Sequence, residues 1–262
     1  MSLTRAVLMG DRVLRGAAEG GHTALVRFLC DLPDAYGVFP GDCDSDAVAL
    51  AAQEGHLDVV RLLCELPWPR GVNVAAVDNK ALRVAAHAGR LHVVRYLCEL
   101  PREHGVDPTA MEHYAVSIAA QEGHVEVVRY LCELALERGA EVVGDLNNPL
   151  EIAAAQGHLN VVRYLFELPA DRGVDPAKCK IKPIASAAEL GRLDMVQYLC
   201  ELPADRGVDA ATGYNQPLTE AAAEGHLDVV RYLCELPADR GVNLPPGSTK
   251  LYALLCDMVA RR

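Results

Sequence analysis

Residues 51–67 read AAQEGHLDVVRLLCELP, and close copies of this stretch return along the chain every 34 residues. The clearest marker is a glycine that follows a pair of alanines, as Gly55 follows Ala51 and Ala52. The marker glycines are Gly21, Gly55, Gly89, Gly123, Gly157, Gly191 and Gly225. Seven copies in register, without an insertion or deletion, identify a repeat protein.

Each copy predicts two short helices on either side of the marker glycine. In the third copy the first helix is expected over about 81–88, with Gly89 as its left-handed C-terminal cap. The second is expected over about 91–100, because its apolar residues recur at helical spacing. Pro101 should end it or tighten the chain into one further turn, which a second periodic glycine, Gly105, then ends. Helices this short need their neighbours to persist, so the copies must stack.

The repeated pattern Ala-Ala-x-x-Gly-His-Leu-x-Val-Val-x-x-Leu resembles the ankyrin repeat over residues 10–260. The resemblance implies an all-α solenoid of stacked helix-turn-helix repeats with short fingers between them. We expect a single domain over residues 1–262, with seven repeats from about 10 to 247 and a partial capping repeat over 248–262. The segment after the second helix, typified by CELPADRGVD at 200–209, is longer than the usual family form.

Composition and charge exclude several classes of function. The chain has 262 residues and a formal net charge of −11, which argues against sequence-independent binding to nucleic acid or anionic membranes. No run of 18 apolar residues exists for membrane insertion, and the first residues lack the pattern of a secretory signal. The odd count of nine cysteines then fits a reducing intracellular compartment, cytoplasmic or nuclear.

The periodic cysteines and histidines are interpreted as structural. Six cysteines share one repeat position, where Phe166 replaces the seventh, and equivalent atoms of stacked repeats lie about 10 Å apart, too far for a disulfide or a shared zinc. Cys43 and Cys179 lie in fingers in which a thiol could be exposed. The histidine after the marker glycine, as in His56, is expected to form hydrogen bonds at the helix start. No catalytic motif is present, so we expect no enzyme activity, cofactor or metal.

Two surface features complete the pattern. Charged residues on the second helix, such as Arg61, predict a solvated outer face, and the tyrosines that follow them, such as Tyr96, are expected to cover seams between repeats. The finger with Lys178, Lys180 and Lys182 is either a solvated loop or a surface for an acidic partner. The family resemblance also makes Asn73 and Asn243 candidates for asparaginyl hydroxylation.

Residues that vary between copies predict the recognition surface, because solenoids bind partners through such positions. In the resembled family these are the fingers and the exposed positions of the first helix, and they predict a mildly negative groove here. The central candidates are Asn79, Arg83, His87, His113, Tyr114, Ser117, Gln121, Glu122, Asn147 and Glu151.

The predicted function is therefore a non-catalytic adaptor that binds a partner protein or peptide on its concave face. The alternative is a structural subunit assembled permanently into a larger complex. An adaptor is expected to be monomeric alone, whereas an obligate subunit should expose large apolar patches.

Overall fold

The computed structural model of the chain describes residues 3–33, 36, 38–40, 46–67, 71–108, 110–137, 146–168, 174–175, 179, 182–203 and 208–237. These ranges contain fourteen α-helices and no β-strand. The predicted all-α fold of repeated helix pairs is therefore confirmed.

The helices follow one another as seven pairs. Their bounds are α1 Leu3–Glu19, α2 Thr23–Asp31, α3 Asp46–Glu54, α4 Leu57–Cys64, α5 Ala76–His87, α6 Leu91–Glu99, α7 Ala110–Gln121, α8 Val125–Glu137, α9 Asn147–Gln156, α10 Leu159–Glu167, α11 Pro183–Glu189, α12 Leu193–Glu201, α13 Thr212–Ala223 and α14 Leu227–Glu235. The odd-numbered helix of each pair is the first helix of its repeat, and the even-numbered helix is the second.

The chain groups into two compact units, residues 1–144 and 145–262. In the first unit α1, α3, α5 and α7 pack in order as one layer, and α2, α4, α6 and α8 pack as a second. In the second unit α11 lies between α9 and α13, while α12 packs against α14. Each unit therefore has the two-layer stack expected of helical repeats. That the whole chain is one domain stays a prediction.

The core of each repeat combines small residues on the first helix with branched residues on the second. Ala51 and Ala52 are fully buried in α3, where their small side chains permit close packing of neighbouring helices. Val59, Val60 and Leu63 are fully buried in α4. Shortening such a leucine to alanine typically costs about 2–5 kcal/mol, so each copy of this apolar set contributes substantially to stability.

The bend between the two helices has the predicted left-handed glycine. All seven marker glycines have positive φ, between 65° and 86°. At Gly89 the backbone N–H of Arg90 bonds to the carbonyl of Ala85 at 2.8 Å, and that of Gly89 bonds to Ala86 at 3.2 Å. This pair of bonds is a Schellman cap, in which the left-handed residue lets the last helical carbonyls find donors.

The first helix of the third repeat has an irregular start. Val77, Asp78 and Asn79 all have left-handed φ, between 51° and 58°, so regular α geometry begins only at Lys80. The predicted start near Ala81 is therefore correct to one residue for the regular part of the helix.

Proline sets where the second helix ends. In the third repeat α6 stops at Glu99, and Pro101 leads into a 3₁₀ turn, Arg102–His104, that ends at left-handed Gly105. In the fourth repeat Ala135 replaces this proline, and α8 continues to Glu137. The difference follows from the clash that proline makes with α geometry at the preceding residue.

Candidate partner-binding surface

The periodic histidines join neighbouring repeats. Nε2 of His56, His124 and His226 donates a hydrogen bond at 2.9 Å to a backbone carbonyl at the end of the preceding repeat's first helix. Arg90 takes the same role, since its Nε donates to the carbonyl of Gln53 at 2.9 Å. These histidines do form hydrogen bonds, but the predicted place is wrong: His56 and His226 make no side-chain cap at the start of their own helices, and their acceptors lie in the preceding repeat.

These histidines also explain why the marker residue is glycine. A Cβ atom at Gly89 would lie 2.6 Å from Nδ1 of His124, and one at Gly21 would lie 2.5 Å from Nδ1 of His56. Left-handed φ and the ring above the bend therefore both exclude a side chain. Among the described residues, no group of three or more His, Cys, Asp or Glu side chains is placed to hold a metal ion.

The periodic cysteines pack as predicted. Cys30, Cys64, Cys98 and Cys132 are buried, Cys200 and Cys234 are partly exposed, and none of the six forms a disulfide bond. Burial raises the pKa of the Cys64 thiol to about 12, and the charge of Glu65 adds to the rise. The seams beside them are covered by an arginine–tyrosine row.

In that row an arginine of one repeat lies over the tyrosine ring of the next. The distances from guanidinium carbon to ring centroid are 5.4 Å for Arg61 and Tyr96, 5.3 Å for Arg95 and Tyr130, and 5.2 Å for Arg163 and Tyr198. Burial raises the pKa of Tyr96 to about 12, helped by the neighbouring Cys64 and Glu65. The tyrosines of the second helices therefore cover the seams between repeats, as predicted. Their contacts with arginine are packing contacts within the fold.

Cys179 corrects the expectation of an exposed finger thiol. Its side chain is only 4% exposed, and its Sγ atom lies 3.9 Å from the carbonyl oxygen of Asn147 and 4.0 Å from that of Asp175. The Cys179 side chain is therefore part of the packing between its finger and the start of α9, and is not exposed to solvent.

Three of the predicted partner-binding residues are buried. Asn79 is 6% exposed, and Ser117 and Asn147 are also in the buried class. The Oδ1 atoms of Asn79 and Asn147 accept hydrogen bonds from the backbone N–H groups of Asp107 and Asp175, at 3.0 and 2.7 Å. The expectation that these asparagines face a partner is wrong, because each one fixes the start of the following finger.

Side-chain length decides exposure at the repeat position of Ser117. Ala49 and Ala185 are buried at the same position, whereas the longer Arg83 and Glu151 are partly exposed. Long polar side chains cover apolar surface with their stems and reach solvent with their polar ends. Ser117 is too short to do so.

The structure brings five predicted residues together in the first unit. The guanidinium of Arg83 lies over the ring of Tyr114, 5.4 Å from its centroid. Nε2 of His87 lies 3.7 Å from Oε1 of Glu122, which also accepts a hydrogen bond from Gln121 at 3.0 Å. Since Arg83 and His87 are four residues apart on α5, these contacts form one surface. We call Arg83, His87, Tyr114, Gln121 and Glu122 the α5–α7 face.

Other candidates lie elsewhere or outside the described side chains. Asn147 and Glu151 belong to the second unit. Asn73 is exposed, and its Oδ1 accepts a hydrogen bond from the backbone N–H of Ala75 at 3.2 Å. Lys182 donates to the carbonyl of Cys179 at 3.3 Å. The residues or side chains that fall outside the description are His113, Cys43, Lys178, Lys180 and Asn243.

The sequence analysis missed an ion-pair cluster beside this face. Nη1 of Arg15 lies 3.1 Å from Oδ2 of Asp46, and Lys80 donates a hydrogen bond to the other carboxylate oxygen. The Lys80 bond, with Lys80 and Arg15 as nearby cations, holds the pKa of Asp46 below its ordinary value. Asp46, Lys80 and Tyr114 share one repeat position, which comes directly after the position of the candidate Asn79. Comparing the residues at this position between repeats would have found the cluster.

Comparison with known proteins gives the family. The sequence profile of ankyrin repeats in three copies matches residues 14–112, 100–177 and 169–243. The chain therefore belongs to the ankyrin-repeat family. The crystal structure of the human ASB11 ankyrin repeat domain matches with a TM-score of 0.61 and 21% identity, over 86% of this chain and 98% of that one. At this identity the likeness shows the fold alone, and no curated protein sequence matches the chain.

Family membership defines the general class of function. Ankyrin repeats generally mediate protein–protein interaction, and the fold is generally non-catalytic. Within the described ranges, no helix is both long and apolar enough to cross a membrane.

Proposed function

We propose that this chain is a non-catalytic adaptor that holds a partner protein on the α5–α7 face. One observation carries the proposal: Tyr114 is 41% exposed while the guanidinium of Arg83 lies over its ring. Tyrosine and arginine are enriched among the residues that dominate protein interfaces. The contact with Arg83 also holds the ring in place before a partner arrives, which reduces the entropy lost on binding.

The position of Tyr114 supports a role other than packing. Its counterparts in earlier repeats are Arg12, Asp46 and Lys80, all of them charged. The tyrosines of the second helices instead cover seams, and Tyr164 is buried. Tyr114 is thus an aromatic ring at a position that is otherwise polar and directed toward solvent, as expected of a partner anchor.

Affinity purification with the full chain as bait, followed by cross-linking mass spectrometry, would supply the partner. Tyr114→Ala and Arg83→Ala should then weaken binding at least tenfold, because truncation of an interface hot spot costs about 2 kcal/mol or more. Arg129→Ala and Arg231→Ala, on the second helices, are the matched controls and should leave the affinity unchanged. If the control variants weaken binding and the α5–α7 variants do not, the adaptor proposal fails.

The alternative, a fixed subunit of a larger assembly, is supported by an apolar patch on the first repeat. Val13 is 49% exposed and Leu25 42%, whereas Ala47 and Val59 at the same positions one repeat later are buried. Phe28 beside them is also exposed. Apolar side chains presented together favour association. Co-purification at fixed stoichiometry, together with aggregation of the isolated chain, would support this alternative over the adaptor.

We also propose a reducing compartment, cytoplasmic or nuclear. None of the seven cysteines that the structure describes forms a disulfide bond, which supports this placement. Fractionation of cells that express a tagged chain would test it, and recovery from an oxidising compartment would contradict it.

A further inference from the structure

A strip of mostly charged side chains crosses the first helices of the first unit and shares Arg83 and Tyr114 with the α5–α7 face. We call Arg15, Asp46, Lys80, Arg83 and Tyr114 the Asp46 strip. We propose that this strip binds an extended acidic segment of the partner protein. The inference rests on the proposed adaptor function and adds the chemistry of the segment that is recognised.

The strip is continuous from the first repeat to the fourth. Arg15 reaches Asp46 in the next repeat at 3.1 Å, and Lys80 reaches the same carboxylate from the repeat beyond. Arg83 lies one turn after Lys80 on α5 and covers the ring of Tyr114 at 5.4 Å. Arg15, Asp46 and Lys80 have side chains 33%, 27% and 36% exposed, so a ligand can reach them.

The charge of the strip is opposite to that of the chain. Arg15, Lys80 and Arg83 contribute three positive charges and Asp46 one negative charge, a local balance of +2 against −11 for the whole chain. The Asp46 carboxylate is ionised at neutral pH, and its ion pairs with Arg15 and Lys80 hold both neighbouring cations in place. A guanidinium has five N–H donors and an ammonium has three, so Arg15 and Lys80 retain donors beyond those directed at Asp46.

The acidic surroundings make the strip selective. Glu54 and Glu122 lie at the C-terminal end of the first helices, opposite to the end at which Asp46 and Lys80 lie. The net negative charge of the chain repels an acidic segment, whereas the three cations of the strip attract it. Such complementarity fixes the register of a partner and accelerates its association. The mildly negative groove expected from sequence stays a prediction, to which the five residues of the strip are a positive exception.

Repeat spacing sets the pattern of the segment. Arg15 and the Lys80–Arg83 pair are two helix spacings apart, roughly 16–20 Å. An extended chain covers about 3.3 Å per residue, so acidic residues that face the two sites should be about six positions apart. Asp46 lies between the sites and repels a carboxylate there, so the residues between them should be neutral. Tyr114 lies 5.4 Å from the Arg83 guanidinium, so an apolar residue two positions beyond the second acid, about 6.6 Å further along and on the same face of the extended chain, would reach its ring.

The probe is a short fluorescent peptide with two glutamates six positions apart, neutral residues between them and a leucine two positions beyond the second glutamate. One comparison peptide has lysines in place of the glutamates, and another has the same composition with adjacent glutamates. Fluorescence anisotropy with the full chain should show at least tenfold tighter binding of the spaced acidic peptide than of either comparison peptide. Its affinity should also fall as salt rises.

Variants of the chain locate the binding. Lys80→Gln and Arg83→Gln should each weaken binding of the spaced acidic peptide at least fivefold. Arg231→Gln on α14 should leave the affinity for this peptide unchanged. Asp46→Asn should tighten the binding of a peptide that carries a third glutamate between the other two, because it removes the carboxylate that repels this glutamate. Urea titration of each variant separates lost binding from lost folding. Equal affinity for the acidic and lysine peptides, or an equal effect of Arg231→Gln, would overturn the inference.

The natural partner separates the two proposals. If Tyr114→Ala weakens its binding but Lys80→Gln does not, the adaptor function stands and the acidic-segment inference fails. If neither variant weakens binding, both fail.

Discussion

Nε2 of His124 donates a hydrogen bond at 2.9 Å to the backbone carbonyl of His87, and the ring passes over Gly89 on its way. The two histidines belong to successive repeats. One side chain therefore closes the bend of the repeat before its own and fills the space that a side chain at Gly89 would need. Stability at the bend should depend on both conditions, backbone conformation and the ring.

Gly89→Ala should lower the free energy of unfolding by more than 1 kcal/mol in a urea titration. The φ of +68° disfavours any residue with a Cβ, and the new atom would lie 2.6 Å from the His124 ring. Gly123→Val is also expected to destabilise by more than 1 kcal/mol, because φ there is 76° and valine is β-branched.

Two other glycines are matched controls for Gly89. Gly225 has a φ of +77° with no heavy atom within 4 Å of its Cβ position in the described part, so Gly225→Ala should show the conformational penalty alone. Gly16 lies inside α1 with similarly open space, and Gly16→Ala should stabilise by about 0.5–1 kcal/mol. Equal losses at Gly89 and Gly225 would exclude a contribution from the His124 ring.

Asn79→Ala should destabilise the chain by about 1–3 kcal/mol, because it leaves the backbone N–H of Asp107 without its Oδ1 acceptor. Asn73→Ala is the control, since its hydrogen bond to Ala75 is exposed to water that can replace it. Urea midpoints and slopes measure both variants. A smaller effect at Asn79 than at Asn73 would contradict the structural role of the buried asparagine.

Asp46→Asn should lower stability at pH 7, and the deficit should shrink in acid. The pKa of Asp46 is lower in the folded chain than its ordinary value of 3.8, chiefly because Lys80 donates to its carboxylate. Its contribution is therefore present above about pH 4 and is lost as pH falls through the lowered pKa. Denaturant titrations of both proteins between pH 7 and pH 2.5 measure the difference. A deficit that grows in acid would have the wrong sign.

Cys64, Cys98 and Cys132 should react slowly with a thiol reagent at pH 8 until denaturant is added. All three are buried, and burial raises the pKa of Cys64 to about 12, which leaves very little thiolate. Cys234 is partly exposed and should react sooner in the native chain, whereas partly exposed Cys200 should stay slow because burial raises the pKa of its thiol to about 12 as well. Residue-level mass spectrometry follows the order, and faster labelling of the buried set would contradict the packing assignment.

The fold could be predicted from sequence because the same local signals occur seven times. The alanine pair and the marker glycine occur in all seven copies and the proline stop occurs in six, so an error in one copy is corrected by the others. The partner surface lacked this redundancy. Asn79 and Lys80 are adjacent, yet one side chain is buried under the following finger and the other reaches Asp46 in the previous repeat. Only the contacts between repeats distinguish them, and these depend on packing rather than on the period.

The backward direction of the inter-repeat bonds bears on synthesis of the chain. His124 follows Gly89 by 35 residues, so the bend at Gly89 lacks its closing side chain until the next repeat has been made. At about 5–20 residues per second this interval is roughly 2–7 seconds. During that time the growing chain ends in a repeat whose last bend is open. Removing repeats from the C-terminal side leaves a last bend without the side chain that closes it. Removing repeats from the N-terminal side takes away only the carbonyl groups that accept these hydrogen bonds, and the remaining bends stay closed.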